Sequence, residues 1–365
     1  MKQQWRHILA GAALVALVIL VAVGIYGTDR LEALSAQPAG VMSTTCSLQA
    51  VAPAGKLQQG HDLLSAAEAA LRDAEARMSI FLDGSEISRF NQAPAEQVVP
   101  LSESVREVLA LSRQLAIDTG GAFDVTLLPI LQVWRGCAAE DRLPTVEELR
   151  AAREASDWDQ IVLGEEGAIK LKASARVDLG GIAKGYAVDR AVEAMMAQGA
   201  RGGLVAVGGD IRCFGQTARR QPWRVGVRDP FWPEAAEPLA VLQLQGGAVS
   251  TSGNYFRYVT IQGRRYSHIK DPRPGPNLGR SVEAAPSVTV VAPTAALADG
   301  WATALSVLGP DGLRLLKQAG EIKALMVVGT ADHYQVLMSD GMESLLAEPL
   351  RPSASSAAPA ATGAP

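Results

Sequence analysis

Apolar residues follow a helical period in four parts of the chain. They recur every three to four positions over residues 61–81, over 102–118, in the segment after Lys184 and between Thr294 and Gly309, which predicts four helices. Thr294 is a residue type that often caps the start of a helix, and glycine often ends one. Both ends of the last predicted helix are therefore marked.

Strand-like segments are distributed irregularly among these helices. Residues 41–51 alternate between apolar and polar positions, and short apolar runs bounded by turn residues occur at 202–211, 223–230, 239–253, 255–262, 282–293, 324–329 and 334–339. Strands and helices do not alternate one by one, as they would in a parallel α/β fold, and no repeat of solenoid length is present. The pattern predicts one domain of the α+β class over residues 40–346.

The two ends of the chain have patterns of their own. Lys2, Arg6 and His7 precede an uninterrupted apolar run over residues 8–26, which is close to the ~20 residues that span a bilayer. We expect residues 1–30 to anchor the chain in the inner membrane with the remainder in the periplasm; a cleaved signal segment is the alternative. Residues 352–365 are rich in Pro, Ala and Ser and predict a disordered tail.

Composition excludes some functions. The 365 residues carry a formal net charge of −4 and no long Lys/Arg run, so we expect no nucleic-acid partner. Cys46, Cys137 and Cys213 lie far apart and form no C-x-x-C pair, so a thiolate metal site is not expected. One disulfide stays open as an alternative.

A carboxylate and a hydroxyl share one face of the last predicted helix. Asp299 and Thr303 are four residues apart, so their side chains point the same way. Oxygen ligands of this kind suit Mg²⁺, which also retains waters or substrate phosphates. A surface aspartate beside a threonine that bonds its own backbone is the alternative interpretation.

The stretch VDLGGIAKGYAVD has the pattern of a strand followed by a glycine turn and a helix. Its turn places Asp178, Gly180, Gly181 and Lys184 at a helix start, where free backbone N–H groups can bind a phosphate. It matches neither the Walker pattern nor G-x-G-x-x-G. A glycine-capped helix start with a solvated lysine explains the same residues.

His268 lies in YSHIKDPRPG, where a predicted strand runs into a turn. A lone histidine is more often structural or exposed than catalytic. Ser252 lacks the G-x-S-x-G frame of a hydrolase nucleophile, so serine hydrolysis is not expected. The local pattern by itself leaves the role of His268 open.

Eight stretches together resemble, in the same order, the motif series of the ApbE family of FAD:protein FMN transferases. They are VMSTTCS, MSIFLDGSEISRFN, TGGAFDVTLLPILQVW, VDLGGIAKGYAVD, VAVGGDIRCFG, VSTSGNY, YSHIKDPRPG and APTAALADGWATAL, and they extend over about residues 40–346. The resemblance implies a mixed-sheet α+β fold that binds FAD and Mg²⁺. It also implies transfer of FMN to a Thr or Ser hydroxyl of an acceptor flavoprotein, with release of AMP.

The resemblance also implies roles for individual residues. Matching positions around FAD are Met42, Phe81, Ala122, Phe123, Asp124, Asp178, Lys184 and Lys270. The metal would be held by the carbonyl of Gly181 and the side chains of Asp299 and Thr303, and His268 would be the base that accepts the proton of the incoming hydroxyl.

Three positions depart from the family pattern. Phe81 stands where tyrosine is frequent, so the ring can stack on a flavin without offering a hydroxyl. Ala302 stands where some members have a carboxylate, which implies fewer side-chain ligands for the metal. Lys270 replaces an apolar residue; little changes if the family contact there is made through the backbone.

Two rival functions use the same residues. An FAD pyrophosphatase would direct water instead of a protein hydroxyl to the same phosphate. A flavin carrier would bind FAD without cleaving it, although the presence of both Asp299 and Thr303 argues against a carrier. Covalent attachment of FMN to an acceptor protein separates the transferase from both.

Overall fold

The computed structural model describes residues 30–253, 258–282 and 285–350. Within them the helices are α1 (Leu57–Met78), α2 (Glu86–Gln92), α3 (Glu103–Asp118), α4 (Leu128–Ala139), α5 (Val146–Ala155), α6 (Ala183–Ala197) and α7 (Ala295–Leu308). The strands are β1 (Leu31–Ala36), β2 (Cys46–Pro53), β3 (Val98–Pro100), β4 (Ile161–Leu163), β5 (Gly167–Lys170), β6 (Gly202–Val207), β7 (Asp210–Gly215), β8 (Trp223–Val227), β9 (Ala240–Leu244), β10 (Gly247–Gly253), β11 (Tyr258–Ile261), β12 (Arg264–Ser267), β13 (Ser287–Ala292), β14 (Lys323–Thr330) and β15 (His333–Met338).

In this part of the chain, a main sheet of eight antiparallel strands runs in the order β1-β2-β6-β7-β10-β13-β14-β15. Helices α1, α6 and α7 pack against one face of it. The β8–β9 hairpin covers part of the other face, and a smaller sheet has the order β3-β5-β4. The predicted α+β class is confirmed, whereas the main sheet, which was expected to be mixed, has only antiparallel strand pairs.

The central strand β13 shows why the sheet has two cores. All six of its residues are buried, because both faces of the sheet are covered there. Val288 and Val290 point into the core under the helices, whereas Val291 points into the core under the β8–β9 hairpin. Alternate positions of one strand therefore stabilise two layers.

The predicted helix boundaries agree closely with the structure for α3, α6 and α7. The hydroxyl of Thr294 accepts a hydrogen bond from the Leu297 amide, as expected for an N-cap. The predicted strand over residues 41–51 begins only at Cys46, because Met42 and Ser43 have positive φ angles of 49° and 53° and form a turn.

Some predictions fall outside the described residues. They are the membrane segment, the tail over residues 352–365 and the first positions of the strand expected over 255–262. Among the helices that the structure describes, none has both the length and the apolar character needed to cross a bilayer. Cys46, Cys137 and Cys213 are buried and free, so the disulfide alternative is not realised.

Candidate functional site

Three of the motifs meet at one end of the main sheet, around the tight turn between β6 and β7. The amide of Gly208, whose φ is +61°, donates to the Thr45 carbonyl over 2.8 Å, and the Thr251 amide donates to the Gly209 carbonyl over 3.1 Å. Glycine is required where backbones approach this closely. The turn therefore joins the ends of β2, β7 and β10, and Met42 lies in the turn that precedes β2.

Helix α7 starts directly against α6. A Cβ on Gly185 would lie 2.2 Å from the Ala295 carbonyl oxygen, so only glycine allows this approach. The Asp189 carboxylate accepts hydrogen bonds from the Ala295 and Ala296 amides over 2.8 and 2.9 Å, which satisfies free N–H groups of the first turn of α7. This docking brings the second turn of α7 to the start of α6.

The result is a buried cluster of three charged side chains, Lys184, Asp210 and Asp299. The Lys184 ammonium lies 2.7 Å from Asp210 Oδ2 and 3.0 Å from Asp299 Oδ2. The side chains of the two aspartates are 3% and 4% accessible, against 22% for the lysine. The Gly185 amide also donates to Asp299 over 3.3 Å, and the Ser250 hydroxyl donates to Asp210.

Each of the two predicted site residues in this cluster has a shifted pKa. Burial alone would lower the pKa of Lys184, but the charges of Asp210 and Asp299 outweigh it and raise the pKa, which keeps the ammonium protonated. Burial, followed by the charge of Asp210, raises the pKa of Asp299 to about 6. The cluster therefore places one ammonium in direct contact with two buried carboxylates.

The predicted metal ligands are close to this cluster. A Cβ on Gly181 would lie 3.3 Å from Thr303 Oγ1, and Asp299 is one helical turn from Thr303. Lys184 and Gly185 both contact Oδ2 of Asp299, so within the described residues Oδ1 is the oxygen that remains to bind a cation. A carboxylate, a hydroxyl and a backbone carbonyl are ligands that Mg²⁺ accepts.

The candidate metal ligands around Asp299 are all oxygen atoms. Across residues 30–253, 258–282 and 285–350, no three His, Cys, Asp or Glu side chains are grouped as metal ligands. A metal beside Asp299 would therefore depend on hydroxyl and carbonyl oxygens, which favours a hard cation that completes its shell with waters or substrate phosphates.

The segment over residues 119–124 lies next to the turn that contains Gly180 and Gly181. Ala122 and Phe123 are buried, and a Cβ on Gly181 would lie 3.3 Å from Phe123 Cε2. The Asp124 carboxylate accepts hydrogen bonds from the amide and hydroxyl of Thr126 over 2.8 and 2.7 Å. Burial raises the pKa of Asp124 to about 6. Asp124 therefore orders its own turn, and the family contact with FAD stays a prediction.

Asp178 and Phe81 are connected by a residue that sequence reasoning missed, Arg135 of α4. The Asp178 carboxylate accepts from the Gly180 amide over 2.9 Å and lies 3.7 Å from the Arg135 guanidinium. The same guanidinium lies 5.7 Å from the centre of the Phe81 ring, which is 79% exposed. Arg135 is the only charged residue within α4, and this isolated charge in an otherwise uncharged helix was the sequence signal that could have indicated a site residue.

His268 and Lys270 lie in the loop after β12 and have opposite environments. His268 is exposed. Lys270 is 3% exposed, and its ammonium lies 3.4 Å from the centre of the Trp134 ring, in a cation–π contact. The Trp134 indole donates to the Gly279 carbonyl over 2.7 Å. The loop is therefore fastened to α4, and the Lys270 side chain is used for packing.

The structure brings together Gly181, Lys184, Asp299 and Thr303, and joins Asp178 to Phe81 through Arg135. Asp210 and Ser250 were also missed as site residues, although both lie in stretches that matched the family motifs. The available signal for Asp210 was its place directly after the Gly208–Gly209 pair. Ser250 lies opposite Asp210 in the β7–β10 register, which only the structure shows.

The antiparallel sheet with its buried Lys–Asp cluster can be compared with known protein families. The model of the ApbE family matches residues 42–326. The chain therefore belongs to the ApbE family.

Known relatives agree with that assignment. The chain is 31% identical over 282 residues to the FAD:protein FMN transferase of Klebsiella pneumoniae (strain 342), which is 75% of this chain and 79% of the relative. It is similar to the flavin transferase ApbE from Vibrio cholerae, with a TM-score of 0.75 and 30% identity over 87% of this chain and 100% of that structure. The apo flavinyl transferase ApbE of Pseudomonas stutzeri gives a TM-score of 0.73 and 32% identity over 88% and 98%.

Proposed function

We propose that this chain cleaves FAD and attaches the FMN part to a Thr or Ser hydroxyl of an acceptor flavoprotein, releasing AMP. As a member of the ApbE family the chain is a flavin transferase, and its relatives are named FAD:protein FMN transferase. The observation that carries the detailed proposal is the position of Lys184 beside Asp299 at the start of α6. A cation and metal-type oxygen ligands are what cleavage of a pyrophosphate requires.

The reaction exchanges one phosphorus–oxygen bond for another. The hydroxyl oxygen of the acceptor bonds to the phosphorus of the FMN half, the bond from that phosphorus to the bridging oxygen breaks, and AMP leaves with that oxygen. The proton of the hydroxyl passes to His268, because an imidazole is a side chain that can accept a proton near neutral pH. Transfer of this kind depends mainly on positioning and on charge stabilisation.

Each group of residues has a role in this proposal. Mg²⁺, held by Asp299, Thr303 and the Gly181 carbonyl, would neutralise charge on both phosphates. Lys184 adds a fixed positive charge next to them, at a helix start whose amides favour anions. The exposed ring of Phe81 offers a face on which the flavin can stack. The exposure of His268 suits a base that must meet a hydroxyl on another protein.

The cellular location is also part of the proposal. The apolar run over residues 8–26 behind a basic flank favours an anchor in the inner membrane, with the catalytic domain in the periplasm. Protease added to intact spheroplasts should then digest the domain. Digestion only after lysis would contradict this orientation.

The test of the function compares three products. Full-length protein in detergent is incubated with FAD and MgCl₂, with and without flavoproteins co-expressed from the same organism, and is analysed by mass spectrometry and chromatography. Transfer predicts an acceptor with covalently bound FMN and an equal amount of AMP. Free FMN with unmodified protein would identify a pyrophosphatase, and FAD binding without AMP would identify a carrier.

A further inference from the structure

Asp210 is a buried carboxylate to which the proposed reaction gives no role. It lies closer to the Lys184 ammonium than Asp299 does, at 2.7 Å against 3.0 Å. One ammonium is thus shared by two carboxylates that water hardly reaches, so their formal charges exceed that of the lysine by one negative charge. Burying a charge is costly unless it is paired and hydrogen-bonded, and here two buried carboxylates depend on one ammonium, which requires an explanation.

The two carboxylates are held by different parts of the fold. Asp299 lies on helix α7 and is one turn from Thr303. Asp210 is the first residue of β7, directly after the Gly208–Gly209 turn, and the Ser250 hydroxyl on the adjacent strand donates to it. Asp210 is therefore fixed by the sheet, whereas Asp299 belongs to the helix that carries the metal-type oxygen ligands.

A divalent cation changes the balance between these contacts. A cation bound to Asp299 competes with Lys184 for the same carboxylate and repels the ammonium. If Asp299 were its only partner, Lys184 would either remain there and oppose the metal or move away from the phosphates. Asp210 is a second carboxylate that is not among the predicted metal ligands, so it can hold the ammonium in place while Asp299 binds the cation.

We propose that Asp210 is a positioning residue that anchors Lys184 while Asp299 binds Mg²⁺, so that the metal and the ammonium act on the same pyrophosphate. The inference rests on the proposed function, because it assumes that Asp299 binds Mg²⁺. It assigns to Asp210 and Ser250 the outer-shell role that partners of metal ligands commonly have. It also explains the surplus negative charge, which attracts the divalent cation.

The test is the Mg²⁺ dependence of the Asp210→Asn variant, which retains the shape of the side chain and removes its charge. The melting temperature of the full-length protein with FAD, without acceptor, is measured against MgCl₂ concentration, and FMN transfer is measured in parallel. The half-effective MgCl₂ concentration should rise about 10-fold in both assays, and excess MgCl₂ should restore transfer. A loss of stability that is equal at all MgCl₂ concentrations would overturn the inference, because a purely structural role predicts that result.

Two further variants control the experiment. Asp229→Asn removes the same charge on the opposite face of the sheet, where Asp229 accepts from the Phe231 amide and the Tyr334 hydroxyl, and it should leave the MgCl₂ dependence unchanged. Ser250→Ala keeps all three charges and removes the support of Asp210. It should raise the half-effective MgCl₂ concentration about threefold. If Asp210→Asn does not fold, Ser250→Ala is the deciding variant. An unchanged half-effective MgCl₂ concentration in Ser250→Ala then overturns the inference.

Failure of the inference can be distinguished from failure of the proposed function. If the wild-type protein shows no response to MgCl₂ in either assay, the metal assignment is wrong and the inference falls with it. A response of the wild-type protein that is absent in Asp299→Ala supports the metal assignment. If Asp210→Asn then has the same half-effective concentration as the wild-type protein, only the role of Asp210 is wrong.

Discussion

The candidate site has a buried part and an exposed part, and they are built differently. In the buried part, Asp210 and Asp299 are 3% and 4% accessible and share the Lys184 ammonium. In the exposed part, Phe81 is 79% exposed, and Arg135, about half exposed, connects it to Asp178. The first part is held by a sheet end and two packed helices, whereas the second is held by side-chain contacts at the surface.

This difference assigns different tasks to the two parts. Charges in the interior interact strongly, because water does not screen them, and they keep their positions when a ligand binds. Exposed ion pairs contribute little, since solvent and salt weaken them. The buried part is therefore suited to stabilise developing charge on phosphates, and the exposed part is suited to admit a large flavin and a protein surface.

The largest effect is expected from removing the buried carboxylate on α7. Asp299→Ala should reduce FMN transfer about 10³-fold, because the strongest ligand of the proposed metal site is lost. FAD binding, measured by flavin fluorescence, should fall much less. Unchanged transfer by the variant at low MgCl₂ would show that the buried part does not hold the metal.

The packing that creates the buried part should be almost as sensitive. Gly185→Ala places a Cβ 2.2 Å from the Ala295 carbonyl oxygen, so α6 and α7 must separate, and the free energy of unfolding should fall by about 3 kcal/mol. Gly136→Ala is the matched control, because a Cβ there meets nothing within 4 Å. Equal stability of the two variants in urea denaturation would contradict the close approach.

His268 tests whether an exposed residue can carry chemistry. His268→Ala should slow single-turnover transfer about 10²-fold, because a hydroxyl is a poor nucleophile without a proton acceptor. Its exposure predicts that FAD affinity and melting temperature stay close to those of the unmodified protein. Parallel loss of stability and FAD binding would instead mean that His268 orders its loop.

Asp124 directly follows Phe123, which lies against Gly181, and it should make stability depend on pH. Burial raises its pKa to about 6 from 3.8, so the folded protein binds a proton that the unfolded chain releases. Its contribution is unfavourable above about pH 6 and is relieved as the pH falls towards 4. Relative to Asp124→Asn, the unmodified protein should gain on the order of 1 kcal/mol between pH 7.5 and 5 in urea denaturation. A constant difference would contradict the buried environment.

The smallest effect is expected at the exposed ion pair. Arg135→Ala should weaken FAD binding about twofold to fivefold, because the guanidinium is half exposed and its contacts are long. Arg176→Ala is the control, since the Arg176 guanidinium donates to Gln132, which lies on α4 three residues before Arg135. A loss of 100-fold in FAD affinity would place Arg135 in the binding machinery and remove the distinction between the two parts.

Local sequence predicted several elements of the fold, whereas other elements were not predicted. Helices α3 and α7 were marked by apolar period and by their end residues. Helix α5 was overlooked although Thr145 and Glu148 form a capping box, which is a local signal. Strands β3, β4 and β5 are three or four residues long, so their period is too short to separate from that of a loop.

The position of Lys270 shows a limit of local reasoning. Lysine is mostly exposed in proteins, and the strand and turn around Lys270 contain no local sign of burial. The structure buries it against Trp134, which belongs to a helix more than a hundred residues earlier. Lysine stems pack readily on apolar surface, but which surface is available depends on the whole fold.

The sequence by itself determined the class of fold, the order of the motifs and the pairing of Asp299 with Thr303, because these depend on residues within a few positions of one another. Tertiary structure decided that Asp299 meets Lys184, 115 residues away, and that Asp210 joins them from the end of a strand. It decided this through Gly185, whose missing side chain lets two helices touch, and through the Gly208–Gly209 turn, which fixes Asp210. Contacts of this kind depend on packing between distant segments, and local sequence does not show which segments pack together.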